Sequence, residues 1–272
     1  MKIAIANQKG GAGKSTMCML WANYLAISRK EEVLVLDMDF QASVYEKWVR
    51  DWQTYEKEVR KSVYAELKKM PELTDKIPAI EPADLTNEWL RKLVVTLAAE
   101  NREAENYIPL LEEGALEETR PYEVLKYEMA NYDNLKPLLT DYDNSYIIMD
   151  LPGKLDDDDL ITVYQDVDLV IVPTAYDQLT NEATLTFAGV VKHLNPDVEF
   201  VFIPNRIKQS VRYELKSQIH QVLGGFGYVS GDVKDSIMFQ RLNTYLIGND
   251  VSEAISTTFE DIFNRFMIQT GK

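Results

Sequence analysis

Residues 8–16, "QKGGAGKST", bring together Gly10, Gly11, Gly13, two lysines and two hydroxyls. Successive glycines let backbone N–H groups turn onto phosphate oxygens, and a helix beginning behind them adds the positive end of its dipole. Gly10, Gly11, Ala12 and Gly13 would supply those amides, leading into Thr16. Lys14 would neutralise β and γ phosphates, and the Ser15 hydroxyl would hold Mg²⁺. The common pattern G-x-x-x-x-G-K-[ST] fails at its first place, where Gln8 stands, and a second lysine, Lys9, follows. Read from the residues alone, Lys9 is a solvated cation that adds positive potential to its own site.

The elements that must position this loop are legible around it. "KIAIAN" at 2–7 is a short apolar run ending at the glycines, and "STMCMLWANYLAIS" behind it has helical spacing. "EVLVLDMD", "SYIIMDLPG", "VDLVIVPT" and "VEFVFIPN" are near-continuous apolar runs, as in strands buried on both faces of a parallel sheet. Helical segments are predicted between them, notably at 179–194 and 209–223. This alternation predicts an α/β fold, a doubly wound, mostly parallel sheet flanked by helices, with ligands beyond the carboxyl ends of the strands. Polar residues stand at those ends: Asn7 to Lys14 after the first, Asp37 and Asp39 at the second, Asp150 after "YIIM", and Asn205 after "VFIP".

Residues 45–145 differ in kind. They are rich in Glu, Lys, Tyr and Trp and poor in glycine. Trp48, Trp52, Tyr55, Val59, Val63 and Leu67 share one helical face, "LTNEWLRKLVVTLAAE" reads as another helix, and "IPAIE" as a short strand. We expect one P-loop domain over 1–272, with 45–145 as a mainly helical, acidic insertion between the second strand and "YIIMD". The closing "SEAISTTFEDIFNRFMIQ" puts Ile255, Phe259, Ile262, Phe263 and Phe266 on one side of a helix.

The chain of 272 residues carries a net charge of −15, spread unevenly: −8 over 45–145, −8 over 146–189 and zero over 190–272. An acidic whole argues against a general affinity for nucleic acid, but leaves room for a local basic patch. Its one cysteine, Cys18, reads as a small core residue and allows no internal disulfide. No signal-peptide stretch or membrane-span run is visible, so a cytoplasmic chain is expected. The run "DDDD" at 156–159 reads as a helix N-terminus facing water, where carboxylates favour the dipole. Two histidines, His193 and His220, without paired spacing make a transition-metal site improbable.

The loop "KGGAGKST" resembles the deviant Walker A motif of the ParA/MinD family of P-loop ATPases, and closest to it are the ParA-type partition ATPases, including those of conjugative elements. The resemblance covers 1–44 and 145–268 well and the insertion hardly at all. It implies Mg-ATP as ligand, a homodimer around it, and Lys9 reaching the partner's phosphates. "VLVLDMDFQAS" resembles the family's D-x-D-P-Q segment, which implies that Asp39 positions or deprotonates the attacking water and that Asp37 lies near Mg²⁺; Phe40 replaces the usual proline. "YIIMDLPG" resembles the Walker B region, implying that Asp150 holds Mg²⁺ through water; Gly153 departs from D-x-P-P. "IPNRI" resembles the segment whose polar side chain, here Asn205, reads the adenine edge; a helix or turn cap is the other reading of that residue.

The output has several readings. Arg206, Lys208, Arg212 and Lys216 form the densest basic run of the C-terminal part, with Arg212 and Lys216 placed one turn apart on a helix. The resemblance makes this a non-specific DNA surface; a solvated helix face is the plain alternative. The final helix carries three acids against Arg265 and Lys272 over 253–272, which suits core packing better than anionic lipid, so no membrane partner is expected. The expected function is a slow, adaptor-stimulated ATPase switch in DNA partition of a plasmid, chromosome or conjugative element. A protein-positioning ATPase that moves cargo through the insertion is the alternative, and a metabolic ATP-using enzyme the third.

Overall fold

The computed structural model describes residues 1–81, 84–153 and 158–267. The "DDDD" run divides at this limit: its first two acids, Asp156 and Asp157, lie outside the described residues, as do residues 268–272 of the final segment. Among the described residues the chain divides into two compact units, Met1–Trp48 with Pro121–Lys272, and Val49–Arg120.

The first unit is built on a seven-stranded parallel sheet: β1 (Lys2–Ile5), β2 (Val33–Asp37), β3 (Glu123–Lys126), β4 (Tyr146–Asp150), β5 (Leu169–Thr174), β6 (Glu199–Pro204) and β7 (Tyr228–Val229), in the order β3-β2-β4-β1-β5-β6-β7. The five apolar runs are its central strands. The two outer strands escape pattern reading for different reasons: β3 alternates one buried valine with exposed neighbours, and β7 has two residues.

The helices are α1 (Lys14–Asn23), α2 (Ser43–Lys69), α3 (Asn87–Ala98), α4 (Arg102–Glu105), α5 (Tyr132–Leu135), α6 (Asp159–Asp166), α7 (Gln178–Leu194), α8 (Lys216–Leu223) and α9 (Asn249–Phe266). Because strand side chains alternate, Ala4, Leu34, Leu36, Ile147, Met149, Val170, Val172, Phe200 and Phe202 face one way. They form one buried cluster with Leu160, Val163 and Tyr164 of α6 and Phe187 and Val191 of α7. On α1, Met17, Cys18, Leu20 and Trp21 are buried, and Trp21 meets Phe259 of α9 edge to face at 4.9 Å. Cys18 and the final helix are therefore core elements, as their sequences imply. Asp158 and Asp159 are exposed at the start of α6, in keeping with a solvated helix N-terminus.

The second unit has its own core: Val63 and Leu67 of α2 with Leu73, Ile77, Leu90, Val94, Leu97 and Ala104. α3 starts where the Thr86 hydroxyl accepts the Trp89 N–H at 3.2 Å. Two expectations are corrected. "IPAIE" is not a strand; Ile77 is spent on the helical core and residues 78–81 follow as irregular chain. The segment 209–215 is not helical: Lys208 N–H donates to the Tyr213 hydroxyl and Ile207 bridges Lys234, so the chain stays out of helix until Lys216. Arg212 and Lys216 therefore do not share a helix face.

Candidate active site

The sheet register assembles the site. Asp150 of β4 pairs level with Ile5 of β1 on one side and Asp37 of β2 on the other. The last residues of three adjacent strands thus reach the same height, immediately beside the loop that leaves β1.

Asn7, nearly fully buried, anchors the head of that loop. Its Nδ2 donates to Pro173 O at 2.8 Å and Thr184 Oγ1 at 3.2 Å, while its Oδ1 accepts the Lys9 N–H at 3.0 Å. Gly11 and Gly13 have φ of 75° and 91°, left-handed values that glycine takes without steric cost. Around Gly10 and Gly11 a Cβ would meet nothing within 4 Å, so the loop is open on that side. Lys9 is exposed and Lys14, Ser15 and Thr16 are half-buried at the start of α1. A Cβ on Gly153 would lie 3.2 Å from Lys14 Nζ and 3.3 Å from Asn7 O. The departure from D-x-P-P thus gives the lysine room to fold back over the loop.

Three carboxylates differ in what they have left to bind. Asp37 spends Oδ2 on the N–H groups of Val44 and Tyr45, both at 2.9 Å, and so caps α2 from a neighbouring strand. Its Oδ1 has no hydrogen-bond partner, and neither has either oxygen of Asp150, although both residues are fully buried. Burial is the main reason that the Asp150 carboxyl is pushed up to about 7; the Ser15 hydroxyl beside it opposes this without reaching hydrogen-bond geometry, and the charge of Asp37 adds to it. Burial likewise raises Asp37, against the backbone N–H groups of Tyr45, Asp39 and Val44. Asp39 is half-buried and folds into a turn, its Oδ1 accepting the Gln41 N–H at 3.0 Å. With Ala42 at φ 47°, that turn projects Phe40 outward, 97% exposed.

Buried carboxylate oxygens without donors cost free energy unless a cation meets them. Three such oxygens beside Ser15, Lys14 and an open glycine loop fit a magnesium nucleotide. Among the described residues no cluster of three or more His, Cys, Asp or Glu side chains forms a metal cage. Mg²⁺ suits such a sparse set because it keeps waters and takes oxygens from phosphates.

Asn205, at the end of β6, lies against the loop from the other side: its Nδ2 donates to Ala12 O at 3.0 Å and its Oδ1 accepts the Arg206 N–H at 3.0 Å. Arg206 Nη1 donates to Gly11 O at 2.9 Å. The basic run is therefore not one surface. Arg206 is exposed but bonded to the loop, Lys216 Nζ sits 2.6 Å from Asp232 Oδ2, and Lys208 and Arg212 are exposed. A cavity of about 270 Å³ beside the loop is lined by Gly11, Thr174, Tyr176, Asn205, Arg206 and Tyr213. Behind it, the Tyr176 hydroxyl bonds to His220 Nε2 at 2.7 Å and to Asp232. Sequence patterning missed this tyrosine cluster, whose members are scattered from 176 to 232.

A glycine loop between β1 and α1, with carboxylates at the ends of the flanking strands of a parallel sheet, defines a P-loop nucleotide-binding protein. The family model for an AAA domain matches residues 1–200. The chain belongs to the ParA/MinD family of P-loop ATPases. Its structure is similar to a plasmid partition protein of Borrelia burgdorferi bound to AMPPNP (21% identity, 97% of this chain and 98% of that one, TM-score 0.60). It is also similar to the cell division ATPase MinD of Pyrococcus furiosus (15%, 97% and 98%, 0.57) and to McdA of Cyanothece in complex with ATP (17%, 97% and 95%, 0.55). No curated protein matches the sequence. Among the described residues no helix is long and apolar enough to cross a membrane.

Proposed function

We propose that this ATPase is a dimerisation switch that binds Mg-ATP at the strand ends, pairs with a second copy around it, and hydrolyses it slowly under the control of an adaptor protein in the cytoplasm. The observation that carries the reading is the set of partnerless oxygens on Asp150 and Asp37 beside Lys14 and Ser15. When bound, Mg²⁺ would neutralise phosphate charge and ease its displacement. Ser15 and Asp150 would hold the cation, with Asp37 near it. Lys14 binds the phosphate oxygens together with the amides of Gly10 to Gly13. Asp39 orients the attacking water and takes its proton, Asn205 meets the adenine edge with the Nδ2 hydrogen left over from its bond to Ala12 O, and Lys9, exposed at the loop head, serves the partner's phosphates.

The switch acts in the partition or maintenance of a plasmid, chromosome or conjugative element. The similarity to a plasmid partition protein supports this, and Lys208 and Arg212 offer exposed charge for DNA phosphates. The test uses Asp39→Ala protein, which should bind Mg-ATP and dimerise without turnover. A long non-specific duplex should be retained with Mg-ATP and not with Mg-ADP, less so at higher salt, and less again after Lys208→Ala and Arg212→Ala. A confirmed dimer that retains no DNA would instead assign the switch to a protein cargo, met through the acidic 45–145 segment. Normal turnover by Asp39→Ala would remove the water-positioning role.

A further inference from the structure

Arg206 occupies a position that its place in a basic run does not explain. Among the described residues it is one of three other than glycine with positive φ, at 58°. A left-handed backbone is sterically costly for a bulky side chain, so it persists where surrounding contacts hold it. Those contacts are on the phosphate loop. Its guanidinium crosses 195 residues of sequence to donate to Gly11 O, and its own N–H is bonded to the side chain of Asn205, which donates to Ala12 O.

The consequence follows from peptide geometry. No peptide bond among the described residues is cis, and in a trans peptide the N–H points opposite to the C=O of the same unit. Holding Gly11 O toward β6 therefore turns the Ala12 N–H away from it, and holding Ala12 O does the same for the Gly13 N–H. Two successive amides aimed to one side, between glycines at φ 75° and 91°, make an anion nest. We propose that Arg206 is a positioning residue for phosphate binding: with Asn205 it straps two consecutive loop carbonyls to the end of β6 and so presets the Ala12 and Gly13 amides for the nucleotide. One guanidinium N–H of Arg206 is thereby committed to the loop, although the side chain stays exposed. The strap rests on the nucleotide reading above, but it exists in the free protein and can be observed there.

The test compares the full chain with Arg206→Asn, which tolerates left-handed backbone and is too short to reach Gly11, and with Arg206→Lys, which keeps reach and charge. Two measurements are made: affinity for Mg-ADP, and amide hydrogen exchange of residues 10–13 without nucleotide. In Arg206→Asn, Mg-ADP affinity should fall about tenfold, the size of one charge-assisted hydrogen bond open to water. The Ala12 amide should exchange faster in the nucleotide-free protein, and Arg206→Lys should recover part of both losses. Unchanged affinity with unchanged exchange would overturn the strap. Reduced affinity with unchanged exchange would also overturn it, since Arg206 would then act on the ligand directly. If the unmodified protein bound no Mg-ADP, the nucleotide reading would fail, while the exchange of the free loop would still decide whether the strap exists.

Discussion

Replacing Gly13 by alanine tests how tightly the phosphate loop is packed against β6. Gly13 stands at φ 91° as the residue before α1, a conformation that costs an L side chain roughly 1–2 kcal/mol. Its new Cβ would lie 2.6 Å from Asn205 Nδ2, so Asn205 must move, and moving it breaks the 3.0 Å bond to Ala12 O. That bond contributes about 1 kcal/mol. Against these stands the lower entropy of the unfolded chain, a gain of about 0.4–1 kcal/mol for Gly→Ala. The costs win, and the net destabilisation should be about 2 kcal/mol, or roughly 4–8 °C in the unfolding temperature of the nucleotide-free first unit. Thermal unfolding read by a probe in that unit measures it, in Gly13→Ala, in Asn205→Ala and in the double variant. In the Asn205→Ala background the clash is gone and only the backbone strain remains, so the two changes should be non-additive by about 1 kcal/mol. Strict additivity, or a Gly13→Ala protein as stable as the parent, would refute the packing argument.

Two further outcomes are expected elsewhere in the first unit. Phe259, fully buried against Trp21 and Tyr24, should cost about 3–5 kcal/mol when cut to alanine, enough to lower the denaturant midpoint of the first unit clearly; a shift within error would mean that α9 does not anchor α1. His220 is held below its ordinary 6.5, first by partial burial and then by the Lys216 charge, with Asp232 opposing. The folded protein then binds fewer protons than the unfolded one, so stability is complete above 6.5 and is lost as pH falls through that value. His220→Gln should flatten the stability profile between pH 7 and pH 5, and an unchanged profile would show that this histidine does not titrate between the two states.

Much of the site could be read along the chain because its parts are local. The glycines, Lys14 and Ser15 are consecutive, and the apolar runs that end in Asp37, Asp150 and Asn205 declare both the strands and their polar ends. The alternation of those runs with helices determined the parallel sheet, since a strand buried on both faces leaves little room for polar residues. What the sequence could not contain is the meeting of residues far apart. The register that levels Asp37 with Asp150 is a property of hydrogen bonding between strands more than a hundred residues apart. The same holds for Arg206, whose charge placed it with Lys208 and Arg212 while its left-handed backbone turned it onto Gly11. The helix expected over 209–215 gave way to the Tyr213 and Lys234 contacts, which outweigh local propensity. Local pattern thus specified which groups do the chemistry, and the tertiary fold decided which of their atoms remain free to do it, because a hydrogen bond made to a distant partner leaves no trace in spacing or composition.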